Sequence, residues 1–207
     1  MAGRPRGIDD SVILRATAEV IGRVGPAGLT LGAVAEEVGL VPGTLVQRFG
    51  SKHGLLVALA RQSAQDADEL HRRSAEGHPF PLAALTALLV TSMAPLGTPE
   101  SFANHLAFLC MDLTDPQLHE HALAIHRSRG TAVRALLIQA VGEGELRAGT
   151  DTAALTGTIQ AITAGAGLTW ALDRRGTLPQ RLREAVDAVL LPHRPSRSDA
   201  STDTEDS

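Results

Sequence analysis

Three histidines, His119, His121 and His126, fall in one stretch with Asp112, Asp115 and Glu120, residue types that bind metal ions. Their spacing does not suit a shared ion: on a helix, residues two apart point to different faces, and His119 and His126 stand about 10 Å apart along the axis. A solvated, charged helix face is the better reading, and no metal or cofactor is expected. Cys110 is the single cysteine, so no intrachain disulfide can form. With no basic neighbour to lower its pKa, it reads as a structural thiol in a reducing cytoplasm. Neither a Gly-rich phosphate loop nor a hydrolase nucleophile elbow is present, and no catalytic residue is assigned. The spacing that does carry chemistry lies in residues 42–52. Thr44, Gln47 and Arg48 share an exposed side when Leu45 and Phe49 face inward, and Pro42 and Gly43 lack the bulk to block an approach to base edges.

Positioning those residues takes a set of short helices. Asp9 is the N-cap of a first helix in which Ile13, Thr17, Val20 and Val24 recur at helical spacing, with Ile8 and Ile13 as a hydrophobic staple and Gly25-Pro26 as the stop. Thr30 caps a second helix of about two turns, with Leu31, Val34, Ala35 and Val38 on one face and Gly39 at its left-handed end. Pro42 suits the first position of a third helix, because its missing N–H is not needed there. Two short helices separated by Gly39-Leu40 have the layout of a helix-turn-helix, whose second helix enters a major groove about 12 Å wide. The alternative is a packed three-helix module that binds no nucleic acid.

The rest of the chain reads as helix throughout. Ser51 caps a long rod running to about Gly77, and further helices are expected at 82–94, 100–113, 116–142, 152–175 and 179–191, with a disordered tail at 193–207. Aromatics make up 2% of the chain and Tyr is absent, so strands have little of their preferred material. The fold class is therefore all-α. The longest nearly uncharged stretch, 79–100, is broken by Pro81, Pro95, Gly97 and Pro99, which argues against a membrane span, and the polar start of the chain does not look like a secretory signal. Net charge is −4, yet residues 1–60 hold six Lys or Arg against five Asp or Glu. A negative total does not exclude DNA, because the charge that matters is local.

At this point the sequence resembles the TetR family of bacterial transcriptional regulators. The resemblance lies in Leu29-Thr30, Ala35, Gly39, Gly43-Thr44-Leu45, Phe49 and Ser51-Lys52 with Leu55-Leu56 beyond, and it covers residues 8–60. It implies Pro42, Gly43, Thr44, Val46 and Gln47 near base edges and Thr30, Arg48 and Lys52 on phosphates. It also likens Gly3-Arg4-Pro5-Arg6 to a basic arm in which Arg4 and Arg6 enter a minor groove; the plain alternative is a solvated terminus. Three positions depart from the family pattern. Val41 stands where Ser or Thr is usual, a lost cap of about 1 kcal/mol. Val46 replaces a common Tyr and brings methyl groups toward the groove, and Arg48 replaces a common His. Downstream, Phe102 to Leu109, Leu113 to Pro116, Gly144 to Arg147 and Gly167 to Trp170 resemble one group of TetR ligand domains.

Phe102, His105, Leu106, Leu109, Cys110 and Leu113 share one helical stripe, which the resemblance makes a cavity wall. Leu89, Met93, Leu137, Gln160, Thr163 and Trp170 would complete it. Ordinary core packing, with His105 a satisfied core histidine, remains the other reading. Such a wall, with neither carboxylate nor Arg, suits a neutral or weakly polar apolar effector oriented by His105, Gln160 or Thr163. Gly157, Ala161 and Gly165 recur every four residues, at about 1 kcal/mol per Gly. With Leu182, Val186 and Val189 of the last helix they resemble the pair of helices through which TetR proteins form homodimers; intrachain packing is the alternative. The expected organisation is a basic arm at 1–7, a DNA-binding domain at 8–60, a ligand-binding and dimerisation domain at 61–192 and the tail. The expected function is a cytoplasmic, ligand-responsive repressor that binds a palindromic operator as a homodimer. A small helical enzyme or ligand carrier with merely structural amino-terminal helices is the rival.

Overall fold

A computed structural model describes residues 8–76 and 79–195 of the protein. The described residues form helices α1 (Asp10–Gly28), α2 (Leu31–Glu37), α3 (Pro42–Phe49), α4 (Lys52–Ser74), α5 (Pro81–Ser92), α6 (Pro99–Asp112), α7 (Pro116–Gly142), α8 (Thr152–Asp173) and α9 (Leu178–Leu190), with short 3₁₀ turns at Ala94–Leu96 and Leu191–His193. No strand occurs among them, as the composition requires, and no helix is long and apolar enough to cross a membrane. They form two compact units, one of residues 8–66 with 98–125 and the other of 67–76 and 79–97 with 126–195. This partition differs from the expected boundary after residue 60, because α6 and the start of α7 pack with the amino-terminal helices.

In the first unit, Ile13, Val20 and Ile21 of α1, Val34 and Ala35 of α2, Leu45 of α3, Leu55 and Leu56 of α4 and Leu118 of α7 form one buried cluster. Asp9 caps α1 by accepting from the Ser11 N–H at 2.8 Å. The expected stop at Gly25-Pro26 is a kink instead. Gly25 leaves helical geometry (φ 71°, ψ 170°) and the chain makes one further turn to Gly28. A side chain at Gly25 would meet Asn104 Oδ1 at 2.9 Å, and Asn104 Nδ2 donates to the Gly22 carbonyl at 2.8 Å, so the kink lets α6 approach α1 closely.

The second unit is built on Leu82, Leu85, Leu88 and Leu89 of α5, Val133, Leu136, Leu137 and Ala140 of α7, Leu155 and Ile159 of α8, and Val186 and Leu190 of α9. Phe80 offers α5 no side-chain cap. The Glu145 carboxylate, from the α7–α8 connection, accepts the Leu82 N–H at 2.8 Å in its place, putting an anion where the helix end favours one. Asp151 caps α8 by accepting from Ala153 and Ala154, and Thr177 caps α9 by accepting from Gln180.

Candidate nucleic-acid interface

The turn between α2 and α3 follows from three local facts. Thr30 Oγ1 accepts the Ala33 N–H at 3.0 Å and starts α2. Gly39 takes φ +67° with nothing within 4 Å of a Cβ there, a conformation cheap only for glycine. Pro42 then opens α3, where Val41 supplies no side-chain cap. Leu45 is fully buried and pins α3 to the core, and Phe49 is half-buried behind it. Val41 and Val46 are 67% and 49% exposed, and Pro42, Gly43 and Gln47 also lie open. Thr44, expected outside, is half-buried. The outer face of α3 is therefore more apolar than the sequence suggested, with Gln47 as its open polar side chain and two valines that fit a thymine methyl better than a phosphate.

The three residues assigned to phosphates have intramolecular roles as well. Arg48 Nη1 donates to the Ile8 carbonyl and to Asp10 Oδ1, the latter at 3.0 Å. It thereby ties α3 to the start of α1. The Asp9 carboxyl beside it lies below its usual range, held there by hydrogen bonds from Ser11 and, to a lesser degree, by the Arg48 charge. Lys52 Nζ donates to the Pro26 carbonyl at 2.8 Å and keeps two protons for other acceptors. The Thr30 hydroxyl oxygen is occupied by its cap, which leaves its proton to donate. Arg4 and Arg6 lie outside the described residues, as does the tail beyond residue 195.

Two sequence comparisons decide the family. The profile described as bacterial regulatory proteins, tetR family, matches residues 13–59, and that of the tetracyclin repressor-like C-terminal domain matches residues 107–186. The chain belongs to the TetR family. This TetR protein is accordingly a DNA-binding transcriptional regulator. Its fold is similar to that of SmeT, the repressor of the Stenotrophomonas maltophilia multidrug efflux pump SmeDEF, with a TM-score of 0.68, 19% identity and coverage of 92% of this chain and 93% of that one. PfmR, a TetR family transcriptional regulator from Thermus thermophilus, matches with a TM-score of 0.65, 18% identity and coverage of 86% and 97%. FadR from Bacillus subtilis, solved in complex with stearoyl-CoA, matches with a TM-score of 0.64, 17% identity and coverage of 87% and 97%. No curated protein matches the sequence.

The residues expected to wall an effector cavity divide between the two units. In the first, Phe102 is buried, but Leu106, Leu109 and Leu113 are exposed large apolar residues and Cys110 is exposed too. The expected inward stripe of α6 is thus displaced. The face turned toward α1 carries Asn104 and His105, with His105 Cε1 3.5 Å from where a Gly22 Cβ would stand, and His105 Nδ1 bonds the Ser101 carbonyl at 2.8 Å. His105 is here a satisfied packing histidine. In the second unit, Leu89 and Leu137 are core and Met93 is half-buried after α5. Thr163 Oγ1 donates to the Ile159 carbonyl, Trp170 Nε1 to the Gly176 carbonyl and Gln160 Nε2 to the His126 carbonyl.

Of the residues expected at a dimer interface, Gly157, Ala161 and Gly165 all lie on the exposed face of α8, and nothing stands within 4 Å of a Cβ at either glycine. Intrachain packing therefore does not explain them. Leu182 and Val186 are 1% exposed, so they belong to the core, while Val189 is half-buried. Periodicity marked the apolar stripe of α9 correctly and could not say which neighbour covers it.

Sequence reasoning also did not foresee that the fold buries certain polar groups. His71 is 2% exposed, Asp112 is buried, and the Nε of Arg129 is out of solvent with no hydrogen-bond partner. The available signal was spacing. Arg129 precedes the buried Ala132, Val133 and Leu136 by three, four and seven residues, which puts it on the inner stripe of α7.

Proposed function

We propose that this regulator is a repressor that binds a near-palindromic operator as a homodimer and is released by a small molecule bound in residues 61–192. The observation that carries the reading is the outer face of α3, where Val41, Val46 and Gln47 stand open behind a helix-turn-helix core pinned by Leu45. Base contacts fall to Pro42, Gly43, Thr44, Val46 and Gln47, and phosphate contacts to Thr30, Lys52 and the unshared donors of Arg48. Arg4 and Arg6 add minor-groove contacts. The exposed stripe of Gly157, Ala161 and Gly165 supports pairing of two copies through α8, since small side chains permit close helix approach. The solved relatives of this fold include a complex of SmeT with triclosan and one of FadR with stearoyl-CoA, which supports effector binding in the carboxy-terminal helices. The effector must favour the conformation that does not fit DNA, because equal affinity for both states shifts nothing. The protein acts in the cytoplasm, where the chromosome is, and the reading assigns no catalysis.

Selection of genomic fragments by the purified protein, followed by fluorescence titration of one recovered site at two salt concentrations, tests this. The expected result is an inverted repeat with a steep salt slope. Gln47→Ala should weaken binding by about 1–3 kcal/mol and leave thermal unfolding unchanged, because the side chain is exposed. Arg48→Ala is a poorer probe, since it also unties α3 from α1. Sequence-blind binding that Gln47→Ala does not alter would overturn the reading in favour of a helical enzyme or carrier.

A further inference from the structure

Val46 stands on the open side of α3 at 49% exposure. It belongs neither to the buried cluster of its unit nor to the half-buried residues packed around that cluster. Valine is a poor choice for such a place. Its β-branched side chain forms helix less readily than Ala, Leu, Gln or Lys, half of its surface is left in water, and no contact with the core accounts for it. The backbone beside it is equally bare. Gly43 lies three residues earlier on the same face, and a Cβ there would meet nothing within 4 Å, so the fold does not need a glycine at that position. A glycine inside a helix weakens it further. Gly43 and Val46 together make a surface that a partner can approach to backbone distance, with two methyl groups standing out of it.

The neighbouring polar groups define what that partner presents. Gln47 is exposed, and its amide both donates and accepts, the pattern that matches N6 and N7 of adenine. Guanine is read best by a guanidinium or an ammonium group. Arg48 is the one cation in α3, and its Nη1 donates to the Ile8 carbonyl and to Asp10 Oδ1, tying it to the start of α1. Lys52 Nζ donates to the Pro26 carbonyl at 2.8 Å. The face made by Gly43, Val46 and Gln47 therefore offers methyl groups and one amide, with no cation among them. In the major groove that set complements an A·T pair, where thymine presents its C5-methyl group and adenine its N6 and N7.

We propose that Val46 reads thymine, its isopropyl group packing against the C5-methyl in the major groove, and that the operator half-site carries A·T pairs where α3 enters it. The proposal rests on the assignment of base contacts to α3, and it names the base and the chemical group that is read.

The test uses the full chain and a recovered operator fragment in which thymines are replaced by deoxyuridine, one symmetric pair of positions at a time. This exchange removes only the methyl group. Fluorescence anisotropy gives the affinity at two salt concentrations. At one pair of positions uracil is expected to weaken wild-type binding about tenfold, from the loss of one buried methyl group in each half-site. Val46→Ala should weaken binding to the thymine operator by a similar factor and lose its response to uracil at that pair. Its salt slope should match the wild type, because a methyl contact releases no counterion. Val46→Thr, which keeps one methyl group, should retain part of the response, and it carries the test if Val46→Ala does not fold. An operator with uracil at every thymine that binds as tightly as the unmodified one would refute the contact, as would a uracil effect that Val46→Ala leaves intact. A shallower salt slope in Val46→Ala would place the side chain beside a phosphate and also count against the proposal. An inverted repeat that is recovered but indifferent to uracil would leave the repressor reading standing without the methyl contact. Recovery of no specific site would remove both.

Discussion

Asp112→Asn should make the protein more stable at neutral pH and have little effect in acid. Two carboxylates three residues apart meet opposite fates in the turn between α6 and α7. Asp115 caps α7, its Oδ1 accepting from the Gln117 and Leu118 N–H groups at 2.9 and 3.2 Å, where the helix dipole favours an anion. Asp112 is the last residue of α6, at the end where the dipole disfavours one, with its Oδ1 buried and unpartnered. Burial first, and the Asp115 charge second, push its pKa from 3.8 up to about 6. The folded state therefore binds the proton more tightly than the unfolded state. Protonation supports the fold fully below pH 3.8 and that support is lost as pH rises through about 6. Each pKa unit is worth about 1.4 kcal/mol, so complete burial would give about 3 kcal/mol; screening by nearby solvent reduces this to about 1–2 kcal/mol. Denaturant unfolding of wild type and Asp112→Asn at fixed protein concentration, from pH 4 to pH 8, measures it. The variant should gain about 1–2 kcal/mol at pH 8, and the gain should fade toward pH 4. A stability difference that is flat with pH, or that grows in acid, would refute the argument.

Two other substitutions follow from the packing. Leu45→Ala empties a fully buried position and should cost about 2–5 kcal/mol, with operator binding lost at temperatures where circular dichroism shows the other helices intact. Gly157→Arg places a charge on the open face of α8, where nothing lies within 4 Å of its Cβ; the proposed pairing through α8 predicts a wild-type dimer and a monomeric variant in light scattering, with helix content preserved. A dimer unaffected by that change would remove α8 from the interface.

The amino-terminal module was legible because its signals are local. Asp9, Thr30 and Pro42 act on helix ends within three residues of themselves, and Gly39 answers to its own backbone angle. Leu45 had to face inward if α3 was amphipathic at all. The exposure of Val41 and Val46, which sets the character of the reading face, depends on how α3 is seated on the core.

Periodicity tells which side of a helix is apolar and is silent on what covers it. For that reason Leu182 and Val186 read as interface and turned out to be core, while Gly157 and Gly165 stayed open. On α6 the stripe itself shifted, because the kink at Gly25 admits Asn104 and His105 against α1 and leaves Leu109, Cys110 and Leu113 outside. Composition, capping and spacing thus determined the helices and their order. The tertiary structure alone decided which polar groups lost their water. Burial of Asp112, of His71 and of the Arg129 Nε depends on the packing of whole helices, and the free energy of a charge is set by that company rather than by its neighbours in the chain.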